Sequence, residues 1–249
     1  MNLILSILRS AVPAGVLVLA STFAHAQLTV EVSGAGSNRV PVAVAAFEGE
    51  SALPRAVTDV VRADLERSGL FKLVELGPTP MGADAPDYAR VRSRGADSVA
   101  VGTISPAGGG RYQVLVRLMD APKQVSLGSQ AMTMTPNQYR TTGHRIADFI
   151  YEKLTGEPGV FSTRIAYVVK SGSRYELQIA DADGSNAQTA LASREPIISP
   201  AWSPDGTRLF VALQSALVQD SARGDASGRT NTRVLVYDVS GDAVPAQPI

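Results

Sequence analysis

Residues 199–213 read "SPAWSPDGTRLFVAL", and the reading of this stretch decides what the second half of the chain is. Two apolar runs flank a Pro-Asp-Gly turn. Pro204 presets φ at the first turn position and Gly206 accepts φ > 0, so the segment is a β-hairpin entered at Trp202. The surroundings have the same rhythm. "TRIAYVVK", "RYELQIAD", "PIISPAWS" and "TRLFVAL" are strands separated by turn chemistry at Ser171-Gly172, Asp183-Gly184 and Asp205-Gly206, and helix signals are absent after Glu157. Four short antiparallel strands make one blade of a β-propeller.

A weaker internal likeness points to repetition. "QIADADG" (178–184) aligns with "LVYDVSG" (235–241), matching Asp181 to Asp238 and Gly184 to Gly241, both at an offset of 57. Propeller blades repeat every ~40–45 residues. The excess predicts an insertion, placed in the polar tract "QDSARGDASGRTNT" (219–232). Chance similarity of two edge strands is the alternative.

Residues 40–156 alternate strands with helices instead. "VPVAVAAF" (40–47) is a buried strand, and "PRAVTDVVRADLERSG" then sets Val57, Val60, Val61 and Leu65 on one helical face, with Pro54 near its start and Gly69 at its end. "FKLVEL" is a strand, a short helix spans about 87–94, and "DSVAVGTI", "RYQVLVRLMD" and "QVSLGSQAMTM" add three more strands. A last helix over 137–154 turns Ile146, Phe149, Ile150 and Leu154 inward. The fold class expected is therefore an α/β N-terminal domain, a mixed sheet with helices, followed by an incomplete all-β propeller region of one to two blades.

The N-terminus is of another kind. Residues 1–26 are apolar, carry one positive charge at Arg9 and end in Ala24-His25-Ala26, the pattern of a secretory signal peptide cleaved before Gln27. A membrane anchor is the competing reading, opposed by Pro13 and the cleavage site. Without cysteine the chain is no lipoprotein, and it suits an oxidising compartment in which it needs no disulfide. Of 23 basic and 23 acidic residues, removal of Arg9 leaves 22 against 23, a net charge of −1. That balance argues against nucleic acid and anionic membrane as partners. After residue 26 no apolar run approaches the ~20 residues that cross a bilayer.

Candidate sites are few. His25 and His144 are the two histidines; a Ser-His-Asp hydrolase would have to use His144, and no G-x-S-x-G elbow accompanies it. His144 thus reads as a partly exposed helix residue. Asp181, Asp183 and Gly184 begin like a calcium loop but lack the rest of the pattern, so they read as a turn. "GAGSNR" (34–39) lacks the third glycine and the following helix of a nucleotide loop, and reads as a hinge. Arg62, Arg67, Arg90, Arg92 and Arg94 read as solvated helix surface. "QLTVEVS" (27–33) stands apart: Leu28, Val30 and Val32 alternate with Thr29, Glu31 and Ser33 ahead of the hinge, as in a strand that adds itself to a partner's sheet. An ordinary edge strand is the alternative.

At this point the residues carry a resemblance. "TRIAYVVKSGSRYELQIADADGSNAQ" joined to "EPIISPAWSPDGTRLF" resembles the first blade of the TolB family, periplasmic proteins of the Tol-Pal system. "VRADLERSGLFKL", "ADSVAVGTI", "YQVLVRLMD" and "FIYEKLTGEPGVFSTRIAYV" are similar in the same order, so the likeness runs over about 28–211. The tail after Leu213 looks more like the strands of a phytase-like propeller, which raises a truncated or chimeric product as an expectation.

The resemblance implies a non-enzymatic periplasmic interaction protein, without cofactor or metal, that supports outer-membrane invagination during division and envelope integrity. It implies that Leu28, Thr29, Val30, Glu31, Val32 and Ser33 bind the C-terminal domain of TolA, and that Pal binds a completed propeller. With at most two blades after Phe161, Pal binding is expected to be weak or absent. The organisation that follows is a signal peptide (1–26), a partner-binding tether (27–39), an α/β domain (40–156) and a truncated propeller region (157–249). The alternatives are an exported propeller-bearing hydrolase, peptidase or phytase-like, and a non-functional product.

Overall fold

The computed structural model describes residues 39–216 and 230–238. The signal segment, the tether residues Leu28 to Ser33, the hinge at 34–38, most of the proposed insertion and the last eleven residues lie outside the described residues.

The first half builds one mixed sheet. Strand β1 (Val40–Val44) leads through a 3-10 turn (Glu50–Ala52) into helix α1 (Val57–Arg67), which returns the chain to β2 (Phe71–Leu73). After α2 (Tyr88–Ser93) come β3 (Ser98–Gly108), β4 (Arg111–Asp120) and β5 (Val125–Met134), and α3 (Tyr139–Thr155) closes the unit. The strand order is β2-β1-β3-β4-β5, with β1 parallel to both β2 and β3 and the remaining pairs antiparallel. Five strands with helices answer the sequence expectation.

Strand parity sorts the core into two layers, because successive side chains leave opposite faces. Val42, Val44 and Ala100 face α1 and α3 together with Val57, Val61, Leu65, Ile146 and Ile150. Ala43, Ala45, Val99 and Val101 face the other way, onto Leu76, Met81 and Val91 of α2 and the loop before it. The four apolar residues assigned to the face of α1 are all buried. Asp87 caps α2, its Oδ1 accepting from Arg90 N–H at 3.0 Å.

Helix α1 has no capping side chain at Ala56. Buried Glu50 substitutes for one from the preceding 3-10 turn: its carboxylate accepts from Thr58 N–H at 2.7 Å and Thr58 Oγ1 at 2.8 Å. A negative charge at the first turn complements the helix dipole and satisfies a donor that the helix itself cannot.

Four of the five arginines read as solvated surface are tied down, among them Arg67 to Asp64 Oδ1 and Arg92 to the Ala121 carbonyl. Arg62 Nε and Nη2 donate to Val44 O at 3.1 and 2.8 Å, at the end of β1. Arg90 binds the carbonyls of Leu76 and Thr79 and so closes the loop ahead of α2. A guanidinium on an amphipathic stem can lie over the protein and satisfy loop carbonyls that no strand reaches, which helix periodicity does not register.

The second half is all β. β6 (Arg164–Ser171), β7 (Arg174–Asp181) and β8 (Gln188–Ser193) form one antiparallel sheet; β9 (Ile197–Trp202), β10 (Arg208–Ala216) and β11 (Thr230–Asp238) form another. This corrects the single four-stranded blade: the four strands read from sequence are divided between two sheets, each with a further strand. The sheets share one core of Leu177, Ile179, Ile197, Leu209, Val211 and Tyr237, and the Arg164 guanidinium lies 5.4 Å from the centre of the Trp202 ring, linking the first sheet to the second.

The opening hairpin forms as read. Gly206 N–H donates to Ser203 O at 2.9 Å with φ +67° at Gly206, and Asp205 Oδ1 accepts from Ser203 Oγ and Thr207 N–H. The internal likeness also has a structural counterpart. Asp181 sits opposite Arg164 in the β6–β7 register, and Asp238 opposite Arg208 in the β10–β11 register. The aspartates are 57 residues apart but the arginines 44, so the extra residues fall between β10 and β11, at 217–229.

Candidate functional site

The described residues converge on one polar centre where α1, α3 and the turn after β7 meet. Asp64 occupies the buried stripe of α1, one helical turn beyond Val60 and Val61, and is 1% exposed. Helix α3 approaches α1 at Gly143, where an added Cβ would stand 2.7 Å from Val60 Cβ. That closeness lets the next residue, His144, reach Asp64, with Nδ1 2.5 Å from Oδ2.

His144 is buried, at 2% exposure, which corrects its reading as a partly exposed residue. The reason is the crossing: a polar residue beside the apolar stripe of α3 is covered by α1 and by the turn after β7. Its Nε2 has no hydrogen-bond partner, so no serine among the described residues completes a Ser-His-Asp arrangement.

The turn contributes the remaining charges. Gly184 at φ +81° closes it, donating to Asp181 O at 2.8 Å; Ser185 N–H donates to Asp183 Oδ1 at 2.9 Å and Asn186 Nδ2 to Asp181 Oδ2 at 2.7 Å. The turn reading of Asp181, Asp183 and Gly184 therefore holds, and it is incomplete. Arg140, from the first turn of α3, pairs with Asp183 and places Nε 3.6 Å from Asp181 Oδ2. Arg67 binds Asp64 Oδ1 at 2.7 Å and lies 3.9 Å from Asp183.

These neighbours set the charge states. Burial disfavours the Asp183 carboxylate, but the Ser185 N–H and Arg140 outweigh burial and hold its pKa below the ordinary aspartate value. Burial likewise opposes the Arg140 charge, and Asp183 and Asp181 overcome it and raise its pKa. A cavity of about 510 Å³ opens beside this cluster, lined by Pro54, Arg55, Asp59, Tyr139, Arg140 and Asp183.

A second anchor ties the chain after α3 to the same helix. Asp148 accepts from Phe161 N–H at 2.7 Å and Ser162 N–H at 3.0 Å. Phe161 is buried in the core of the helical face and meets Tyr151 edge-on, centroids 5.6 Å apart. Sheet β6–β8 thus starts from a fixed point, and charge pairing at Asp183 fixes its turn. Chemically the junction can hold charge, orient one imidazole and couple two structural units.

Comparison with known proteins follows the same division. The sequence model of the TolB amino-terminal domain matches residues 28–127, and that of the TolB beta propeller domain matches 151–217. The Tol-Pal system protein TolB of Aromatoleum aromaticum is 63% identical over 217 residues, 86% of this chain and 51% of that protein. The chain belongs to the TolB family.

TolB of an Azoarcus species is 60% identical over 186 residues, covering 74% of the chain and 44% of its own length. The crystal structure of TolB from Acinetobacter baumannii superposes with a TM-score of 0.64 at 30% identity, over 81% of this chain and 47% of that one. This TolB-family chain spans about half the length of the curated relatives it matches. These relatives lend no support to the exported hydrolase. No helix among the described residues is long and apolar enough to cross a membrane.

Sequence reasoning missed the TolB-family chain's buried junction. A signal was present: Asp64 and His144 are the ionisable residues within the buried faces of two amphipathic helices, and such groups need partners.

Proposed function

We propose that the chain is a non-catalytic binding component of the Tol-Pal system, working in the periplasm of a Gram-negative bacterium through competition between surfaces. The observation that carries this reading is the collinear match of both TolB segments, at 63% identity to a Tol-Pal system protein TolB. On this reading the protein supports outer-membrane invagination during division and envelope integrity. Its organisation is a cleaved signal (1–26), a tether (27–39), an α/β domain (40–156) and a propeller region (157–249).

The tether carries the TolA contact. Leu28, Val30 and Val32 form one face of a strand added to the C-terminal domain of TolA, with Thr29, Glu31 and Ser33 on the other and the backbone supplying hydrogen bonds. Each buried aliphatic side chain contributes about 1.5–3 kcal/mol before ordering costs. Pal binding belongs to the propeller region. The contacts at His144 and Phe161 support coupling of the two halves when a partner engages either.

Titration of labelled TolA C-terminal domain into the mature chain and into a chain beginning at Val40 tests the assignment. Loss of most of the affinity in the shorter chain is the expected result. Equal affinity in both removes the tether from the contact.

A further inference from the structure

The junction contains an arrangement that structural pairing leaves incomplete. Asp64 faces the Nδ1 side of His144, so in the neutral ring Nδ1–H donates to it and Nε2 is left unprotonated. The lone pair of Nε2 then faces the turn after β7, where Asp181 Oδ2 lies 3.9 Å away. A buried lone pair opposite a carboxylate, too far for a hydrogen bond, is unfavourable by itself. It becomes favourable with a cation between them.

One coordinating atom from each of His144, Asp181 and Asp183 lies within 4.8 Å of the others. We propose that His144 Nε2, Asp181 and Asp183 form a divalent transition-metal site of zinc type at the junction of the helical face and the first blade. One imidazole nitrogen with two carboxylate oxygens suits zinc, which binds both at about 2.0–2.2 Å, whereas calcium and magnesium favour oxygen ligands alone. Ligand atoms in such a tetrahedron stand about 3.3 Å apart. The 3.9 Å gap between Nε2 and Asp181 closes to that with a small side-chain adjustment.

The supporting groups are in place. Asp64 is the outer carboxylate that fixes the tautomer and orientation of a metal-binding imidazole. Ser185 N–H and Asn186 Nδ2 hold the two aspartates in the turn. Arg140 is the resident competitor: it pairs with Asp183, and its buried Nε has no hydrogen-bond partner. Metal entry requires Arg140 to give up Asp183 and swing toward the adjoining cavity, which Arg140 itself lines. Removing this guanidinium therefore strengthens metal binding, the opposite of what a purely structural ion pair predicts for ligand affinity.

The chain offers a clean measurement. It has no cysteine and two histidines, so with His25 cleaved off or replaced (H25Q) His144 is the sole imidazole. Zinc chloride is titrated by calorimetry into the untagged full chain. One site is expected, weakened about tenfold or more by D181N and H144Q, and tightened severalfold by R140Q. Because H144Q removes the partner of Asp64 Oδ2, the imidazole 15N resonances of the unmodified ring provide a second readout: zinc shifts Nε2 and leaves Nδ1 protonated. Absence of binding up to about 1 mM zinc overturns the proposal, as does binding that D181N and R140Q leave unchanged with the Nε2 resonance unmoved.

Discussion

Replacing Gly143 with alanine sets helix propensity directly against packing. Gly143 lies inside α3, where alanine is favoured over glycine by about 0.8–1 kcal/mol. A Cβ at that position would meet Val60 Cβ at 2.7 Å, Val60 Cγ1 at 2.9 Å and the Val57 carbonyl oxygen at 3.1 Å. Carbon atoms pack best at about 3.5–4.0 Å, so the methyl group forces α1 and α3 apart by several tenths of an ångström. Overpacking of this kind costs about 1–3 kcal/mol, and the separation also lengthens the His144–Asp64 contact next to it. The net expectation for G143A is a loss of about 1–2 kcal/mol, a fall in Tm of roughly 2–8 °C for a chain of this size. Urea and thermal unfolding followed by circular dichroism measure it. Adding V60A recovers part of the loss, by removing Cγ1 while the Cβ contact persists. A G143A chain more stable by about 1 kcal/mol, as propensity alone dictates, would refute the close crossing on which the junction depends.

Four further outcomes follow from the same contacts. E50A removes the buried acceptor of Thr58 N–H and hydroxyl and should destabilise the chain by about 1.5–3 kcal/mol in urea unfolding, since both bonds end on a charge. The Asp205 carboxyl is pulled down to about 2 by the Ser203 hydroxyl and the Thr207 N–H. A depressed folded-state pKa means that its contribution to the hairpin is complete above the unfolded value of ~3.9 and is lost as pH falls through the folded one; carboxyl 13C titration should show this, with S203A moving the midpoint back up. D148A frees the Phe161 and Ser162 N–H groups, and limited proteolysis should then cut within 157–163, where the unmodified chain resists. A fragment of residues 40–163 should fold and melt cooperatively above one of 40–156, because Phe161 completes the helical core at a gain of about 2 kcal/mol.

What the sequence determined by itself was local. The Pro204-Asp205-Gly206 turn forms because ring constraint and φ > 0 are properties of those residues wherever they stand, and the Val57, Val60, Val61 and Leu65 stripe is inward because its spacing leaves no other face apolar. The Asp181–Asp238 likeness was legible for the same reason, as each aspartate ends a strand paired with the one before it. Other features needed the assembled chain. β8, "QTALAS", has too little β-branched or aromatic character to announce a strand, and it exists because β7 offers it a free edge. The division of six strands between two sheets is likewise a choice of long-range partners that alternation cannot express. Asp64 and His144 are 80 residues apart, and their contact depends on a helix crossing that Gly143 permits. Desolvation makes such a contact obligatory once the helices meet, since a buried carboxylate and imidazole must pair; which polar residues are buried is decided only by the surfaces that come to cover them.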